Sequence, residues 1–331
     1  MVQIKKDDLR DTKGLCPTLK AVDRAIEEKE NSAKPRGYLG FSAIGNCPRE
    51  LWYQFRWVLS VLFSAHTLKL FSDGHTGEDT QADRLRLLSD ITLVTLDPET
   101  GRQYEVLEAK LHGKGHADGL IKGILQNPKP WLVWEHKQTN DKKFNELRRL
   151  LARQDESTVL RAWDDKSMRQ QYYEQHIIYM ELLGLEGGYM TVATPGGRDS
   201  LAFQTKADPD YAKRLIAKAR MIVDAKEPPA GVSRDPSFFQ CKWCNFKSVC
   251  HEGQKPDRNC RTCLHSTPEL GGVWHCAHWD KPLTYGEQRA GCEVHRYIPS
   301  LLKGKVRAVV GDGADAAITY DMDTGEVFVD D

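Results

Sequence analysis

The stretch WLVWEHK, residues 131–137, carries the alternation on which the fold turns. Its residues are β-prone, and side chains two apart on a strand share a face, so Glu135 and Lys137 project together while His136 points the other way. Upstream, HADGLIK (116–122) is a second short strand containing His116, Ala117 and Asp118, and the NPKP at 127–130 reads as the turn that sets the two side by side. Paired in this way, Asp118 and Glu135 converge. Two hard carboxylates that repel each other suit Mg²⁺ or Mn²⁺, and Lys137 beside them can orient a water or offset charge developing on a phosphate. The spacing is also short and common, and a solvated strand edge with Asp118 in a turn is its plainer meaning.

A chain of 331 residues can bury one sizeable core and carry a smaller module beside it. With 40% hydrophobic and 28% charged residues it reads as a soluble globular protein. Lys plus Arg and Asp plus Glu both number 47, so no global positive field advertises nucleic acid, and DNA binding requires a locally positive cleft. There is no apolar run of about 18 residues, and the charged opening MVQIKKDDLR leads into no apolar signal region. The expectation is a cytosolic chain without membrane association. In a reducing compartment, nine cysteines with CxxC pairs at Cys241/Cys244 and Cys260/Cys263 favour metal ligation over disulfides.

Taken in order, residues 17–31 have helical periodicity, and Cys16 before them reads as a free thiol. In SAIGNCPRELWYQFRW (42–57), Pro48 suits the first turn of a helix and puts Cys47 near its N-cap, where the dipole stabilises a thiolate; an inert buried cysteine near Trp52 is the alternative. Residues 60–90 read as mostly helical, with Glu78 and Asp79 three and four positions after His75 on the same side. That histidine could join Asp118 and Glu135 around a metal, with Glu78 reaching the ion directly or through water; surface caps and salt links are the alternative. Residues 91–125 turn β-rich, and Glu105 and Glu108, lacking a partner at the Glu-x-Lys spacing, read as solvated.

Lys142, Lys143, Arg148, Arg149 and Arg153 then cluster in one stretch that reads equally as a phosphate track and as a solvated helix face. A long helix over 166–184 carries Gln175 and Tyr179 at i and i+4, a strand and turn follow at 188–199, and a helix over 209–229 stops at Pro228 and Pro229. CKWCNFKSVC (241–250) offers three thiolates to which Cys47 adds a fourth, a set that accepts either Zn²⁺ or a [4Fe-4S] cluster. HEGQKPDRN (251–259) reads as a polar linker. Beyond it Cys260, Cys263, Cys276 and Cys292 point to a structural Zn²⁺, with His265, His275, His278 and His295 leaving the ligand choice open. Trp274, Trp279, Arg289, Arg296 and Tyr297 are candidates for an exposed DNA-contacting face, although so small a module also needs its tryptophans for a core. The final stretch reads as strands, with DMDTG a hairpin turn and not a Ca²⁺ loop.

The divided cysteine set, Cys47 before and Cys241, Cys244 and Cys250 after the Asp118…Glu135-x-Lys137 pattern, resembles the PD-(D/E)XK nuclease superfamily. Within it, the likeness over residues 40–252 is to the RecB/Cas4-like iron-sulfur exonucleases of bacteriophage or prophage type. This resemblance implies an α/β restriction-endonuclease-like core with a central mixed sheet flanked by helices. It implies His75 on the metal with Asp118 and Glu135, Gln175 and Tyr179 as a QxxxY motif beside the active site, and [4Fe-4S] as the structural occupant of the first cysteine set. Residues 1–255 would form the nuclease domain and 256–331 a zinc-binding, β-rich appendage, in which the chain departs from the minimal family plan. The implied function is a Mg²⁺- or Mn²⁺-dependent DNA exonuclease in recombination, repair or phage DNA processing, in the cytoplasm of a bacterial host, with a recombination or single-strand-annealing protein as candidate partner. The reading from another class is a catalytically inactive DNA- or protein-binding module stabilised by two metal sites; the joint presence of Asp118, Glu135 and Lys137 favours activity.

Overall fold

A computed structural model describes residues 16–153, 168–313 and 316–331, so the charged opening MVQIKKDDLR and the first two residues of the helix expected over 166–184 lie outside the described residues. Pro17 and Pro48 open helices α1 (Pro17–Asn31) and α2 (Pro48–Phe55) at positions whose N–H would lack an intrahelical partner. Ser64 and Asn140 cap α3 (Ala65–Leu85) and α4 (Asp141–Leu151) by accepting the Thr67 and Lys143 N–H groups. After α5 (Met168–Leu183), Asp208 caps α6 (Pro209–Asp224) in the same way.

The first eight strands, β1 (Leu39–Gly40), β2 (Thr92–Val94), β3 (Tyr104–Glu108), β4 (Gly113–Ala117), β5 (Gly119–Lys122), β6 (Leu132–Gln138), β7 (Gly187–Ala193) and β8 (Ser200–Lys206), divide between two sheets. Five form a mixed sheet in the order β2-β5-β6-β7-β8, in which β6 and β7 run parallel and the other pairs antiparallel. The other three form the sheet β1-β4-β3. The strand read from HADGLIK is therefore two strands: the chain leaves one sheet after Ala117 and enters the other at Gly119, with Asp118 at the crossing. Central strand β7 is buried at every residue, as a strand covered on both faces must be.

On one face of the large sheet Val133, Met190, Val192 and Phe203 share a cluster with Ile177, Ile178 and Met180 of α5 and with residues of α2 and α6. On the other, Ile121, Leu132, Trp134 and Tyr189 pack with Ala82 and Leu85 of α3. The alternation read in WLVWEHK thus faces Glu135 and Lys137 toward α5, and Trp134 and His136 toward α3.

The C-terminal part adds α7 (Phe239–Lys242), α8 (Lys247–His251), strands β9 (Ser266–Pro268), β10 (Trp274–Cys276) and β11 (Lys281–Leu283), helix α9 (Tyr285–Ala290), and the sheet β12 (Gly304–Val310), β13 (Ala317–Met322) and β14 (Val327–Asp330). The DMDTG segment turns between β13 and β14, as expected. Two expectations here need correction. The stretch 251–259 is pinned and not a free linker: the Asp257 N–H donates to Val58 O at 2.8 Å, its carboxylate accepts the Ser60 N–H at 2.6 Å, and Asn259 is buried. Trp274 and Tyr297 are not exposed but 0% and 8% accessible, because Trp274 packs on Phe55 and His112 while Tyr297 packs on His295 and Phe328.

Buried Arg261 binds this part to the first. Its guanidinium donates to Phe55 O at 2.8 Å, Gly37 O at 3.0 Å and Gln288 Oε1 at 2.9 Å, and it stacks 3.7 Å from the Trp57 ring centre. Arg56 donates in turn to Arg261 O at 3.0 Å. Neutral oxygens and aromatic faces thus stabilise both cations. Among the described residues, no helix is long and apolar enough to cross a membrane.

Candidate active site

Glu135 and Lys137 point the same way from β6, and Asp118 meets them from the crossing between sheets. Strand register brings them together: Gly119 pairs with Trp134, so Asp118 lies beside the next β6 residues and its Oδ2 accepts the His136 N–H at 2.8 Å. Lys137 Nζ stands between the two acids, 2.9 Å from Glu135 Oε2 and 3.6 Å from Asp118 Oδ2. Gln175 on α5 donates to the same Glu135 oxygen at 2.9 Å. The other oxygen, Oε1, is buried and has no hydrogen-bond partner.

Burial pushes the Glu135 carboxyl up, and the charge of Asp118 adds to it, while Lys137 pulls the other way. Glu78, from α3, is pushed up by burial and then by Asp118, with Lys137 and His75 opposing, so it belongs to the same electrostatic group. Burial opposes the charge on Lys137, but Asp118 and Glu135 outweigh it and raise its pKa. Burial likewise raises that of Tyr179, one turn from Gln175 and sensitive to the same charges. Gly115 leaves room for this phenol, since a Cβ there would collide with it.

The sequence-derived residues do not all converge equally. Asp118, Glu135, Lys137 and Gln175 are joined by direct contacts. His75 sits outside, its side chain 78% exposed and its Nδ1 3.7 Å from Glu78 Oε2, so it reaches the acids only through Glu78. Sequence reasoning did not single out Thr191, whose hydroxyl accepts from Trp134 Nε1 at 3.0 Å and lies 2.9 Å from His136 Nδ1, fixing the opposite face of β6. A threonine in a hydrophobic strand gives no local signal of that contact.

Cys47 at the N-cap of α2, Cys241 in α7, Cys244 just after it and Cys250 in α8 lie within one another's electrostatic reach. Burial raises Cys241 and Cys244, and the neighbouring thiols Cys47 and Cys250 raise them further. Arg49 Nη1 lies 3.7 Å from Cys250 Sγ. In the second set, burial raises Cys260, followed by Cys292, Cys263 and Cys276 in turn. The unlinked thiols in each set would therefore repel one another on ionising, a repulsion that a shared cation relieves. Among the described residues, however, no three His, Cys, Asp or Glu side chains are placed so as to form a metal-holding group.

No protein-family model matches this chain, and no curated protein does. Among solved structures it is similar to that of SSO0001, at a TM-score of 0.38 and 15% identity over 70% of this chain and 95% of that one. It is also similar to LHK-Exo in complex with dAMP, at a TM-score of 0.37 and 9% identity, covering 56% and 86% of the two chains. The alkaline exonuclease LHK-Exo from Laribacter hongkongensis aligns at a TM-score of 0.36 and 11% identity, over 59% of this chain and 90% of that one.

Proposed function

We propose that this chain is a metal-dependent deoxyribonuclease whose active site is built on Asp118, Glu135 and Lys137. The observation that carries the proposal is Glu135 Oε1, a buried carboxylate oxygen without a partner in a group that also holds Asp118 and Glu78. A buried acceptor left bare is costly, and a divalent cation relieves both that cost and the repulsion among the acids. Bound Mg²⁺ or Mn²⁺ would supply Lewis-acid chemistry for phosphodiester hydrolysis. Asp118 and Glu135 would hold it, Glu78 would reach it through water, and His75 would steady Glu78 from the solvent side. Lys137 then orients water and balances charge on the phosphate, Gln175 fixes the Glu135 carboxylate, and Tyr179 packs beside it.

A polyanionic substrate is supported by α4, which begins three residues after β6 and buries Phe144 and Leu147 while Lys142, Arg148 and Arg149 remain exposed. The RecB/Cas4-like resemblance extends the proposal to cleavage from DNA ends in recombination or repair. It also assigns [4Fe-4S] to Cys47, Cys241, Cys244 and Cys250 as a structural clip, while the spacing of Cys260, Cys263, Cys276 and Cys292, outside the resemblance, carries the reading of a structural Zn²⁺.

The test is hydrolysis of linear and circular, single- and double-stranded DNA with Mg²⁺ or Mn²⁺ by wild type, Glu135→Ala and Lys137→Ala. Both variants should keep the fold and lose most cleavage. Equal rates for all three proteins would overturn the proposal.

A further inference from the structure

Phe238, Phe239 and Trp243 are 36%, 37% and 77% exposed around the Cys241-Lys242-Trp243-Cys244 turn. The reason is local. Cys241 is buried and Cys244 half-buried, so the two residues between them are driven outward, and Lys242 and Trp243 both face solvent. Phe239 precedes Trp243 by one helical turn across α7, and the Phe238 and Phe239 rings lie 4.7 Å apart. The core beneath is supplied by Phe246, which is 2% exposed. An indole so exposed is unusual in a soluble protein, and three neighbouring aromatics form an apolar patch that packing does not require.

The charge around this patch favours a polyanion. Lys242 Nζ sits 5.2 Å from the Trp243 ring centre, covering one face of the indole. Asp235 is turned onto the Ser237 N–H and hydroxyl, both at 2.8 Å, and Glu252 is paired with Lys247 at 3.0 Å. Lys242 and Arg234 make no salt bridge among the described residues. An apolar protein partner would have no use for these cations, whereas a nucleic-acid strand offers both flat bases and phosphates.

We propose that Phe239, Trp243 and Lys242 form a stacking platform for single-stranded nucleic acid. One base lies on the open face of Trp243, a neighbour meets Phe239 and Phe238, and Lys242 and Arg234 engage the phosphates. The inference rests on the nuclease reading and deepens it, since the platform would hold the strand that the Asp118–Glu135 site cleaves. Trp274, being buried, cannot take this role.

The experiment measures binding of a labelled oligothymidylate of about 15 nucleotides to the full chain as purified, without added Mg²⁺ or Mn²⁺, by fluorescence anisotropy over a series of salt concentrations. Trp243→Ala and Phe239→Ala should each weaken affinity by roughly five- to a hundredfold. Trp243→Phe should retain most of it, Lys242→Ala should flatten the salt dependence, and melting temperatures should stay near wild type. Affinity indifferent to Trp243→Ala, with DNA hydrolysis still lost on Glu135→Ala, would overturn the platform and leave the nuclease standing, the patch then serving a protein partner. Trp243-dependent binding without hydrolysis of any DNA would uphold the platform and overturn the nuclease.

Discussion

The Gln175 carboxamide, on α5, donates to Glu135 Oε2 at 2.9 Å, the same oxygen that Lys137 Nζ engages from within β6 at 2.9 Å. Two donors on one oxygen fix the carboxylate and leave Oε1 turned away and bare. Gln175→Ala should therefore free the carboxylate to rotate, lowering metal affinity and cleavage by about ten- to a hundredfold while leaving the fold intact. Gln175→Glu should do worse, because it adds an acid to a group that already repels itself. Calorimetric Mn²⁺ titration alongside cleavage rates checks both, and wild-type metal affinity in Gln175→Ala would refute the role.

Acidity offers a second check. Glu135 is pushed up to about 8 and Glu78 to about 7, in each case by burial first and Asp118 second. For a carboxyl whose folded pKa is raised, the stabilisation is complete below its unfolded pKa and lost as pH rises through the folded one. Buried His136, His176 and His295, pushed down to about 4, gain stability as pH rises to about 6.5 and mask the acids below it. The metal-free protein should thus lose thermal stability between roughly pH 7 and 9, and Mg²⁺ should restore more of it at the upper end, where the acids are ionised. Lys137 stays charged across this window and adds no slope. Melting temperatures in EDTA that stay flat over this range would contradict the arrangement.

Overpacking behind the site should reach it through α5. A Cβ at Gly188 would fall inside the imidazole of His176, which is fully buried and contacts Val133 O at 3.2 Å. Gly188→Ala should cost ~1–3 kcal/mol and, because His176 follows Gln175 directly, also slow cleavage. Denaturant melts and rates measured on the same preparation test the coupling; loss of stability without loss of rate would uncouple the two.

The occupants proposed for the thiol sets, the cluster by resemblance and the zinc by spacing, predict metal content. Anaerobically purified protein should be brown and contain iron, with zinc accompanying it. Cys241→Ser should remove the iron and spare the zinc, and Cys276→Ser should do the reverse. Since the first set joins Cys47 to the distant 241–250 stretch and the second ties together residues 260–292, chelation should lower the melting temperature in both cases. Elemental analysis finding zinc alone in the wild type would reject the iron-sulfur assignment.

Local rules made much of this protein legible in its sequence. Two-residue alternation put Glu135 and Lys137 on one face of β6 and His136 on the other. Pro48 placed Cys47 at the N-cap of α2, and the periodicity of residues 17–31 gave α1 with its observed ends. Each depends on neighbours within a few positions, which dihedral preferences and capping govern.

Tertiary structure decided what depends on distant partners. HADGLIK reads as one strand, but competing ladders with β3 and β6 split it at Asp118 and swing that acid toward Glu135. His75 and Glu78 share a helical side, yet the packing of α3 on the sheet brings Glu78 into the acidic group and leaves His75 in solvent. Trp274 and Trp243 look alike in sequence; one is sealed by Phe55 and His112 while the other is pushed outward by its flanking cysteines. Burial, and with it the upward shift of Glu135 and Glu78, is fixed by contacts between residues far apart in the chain, and no local pattern encodes them.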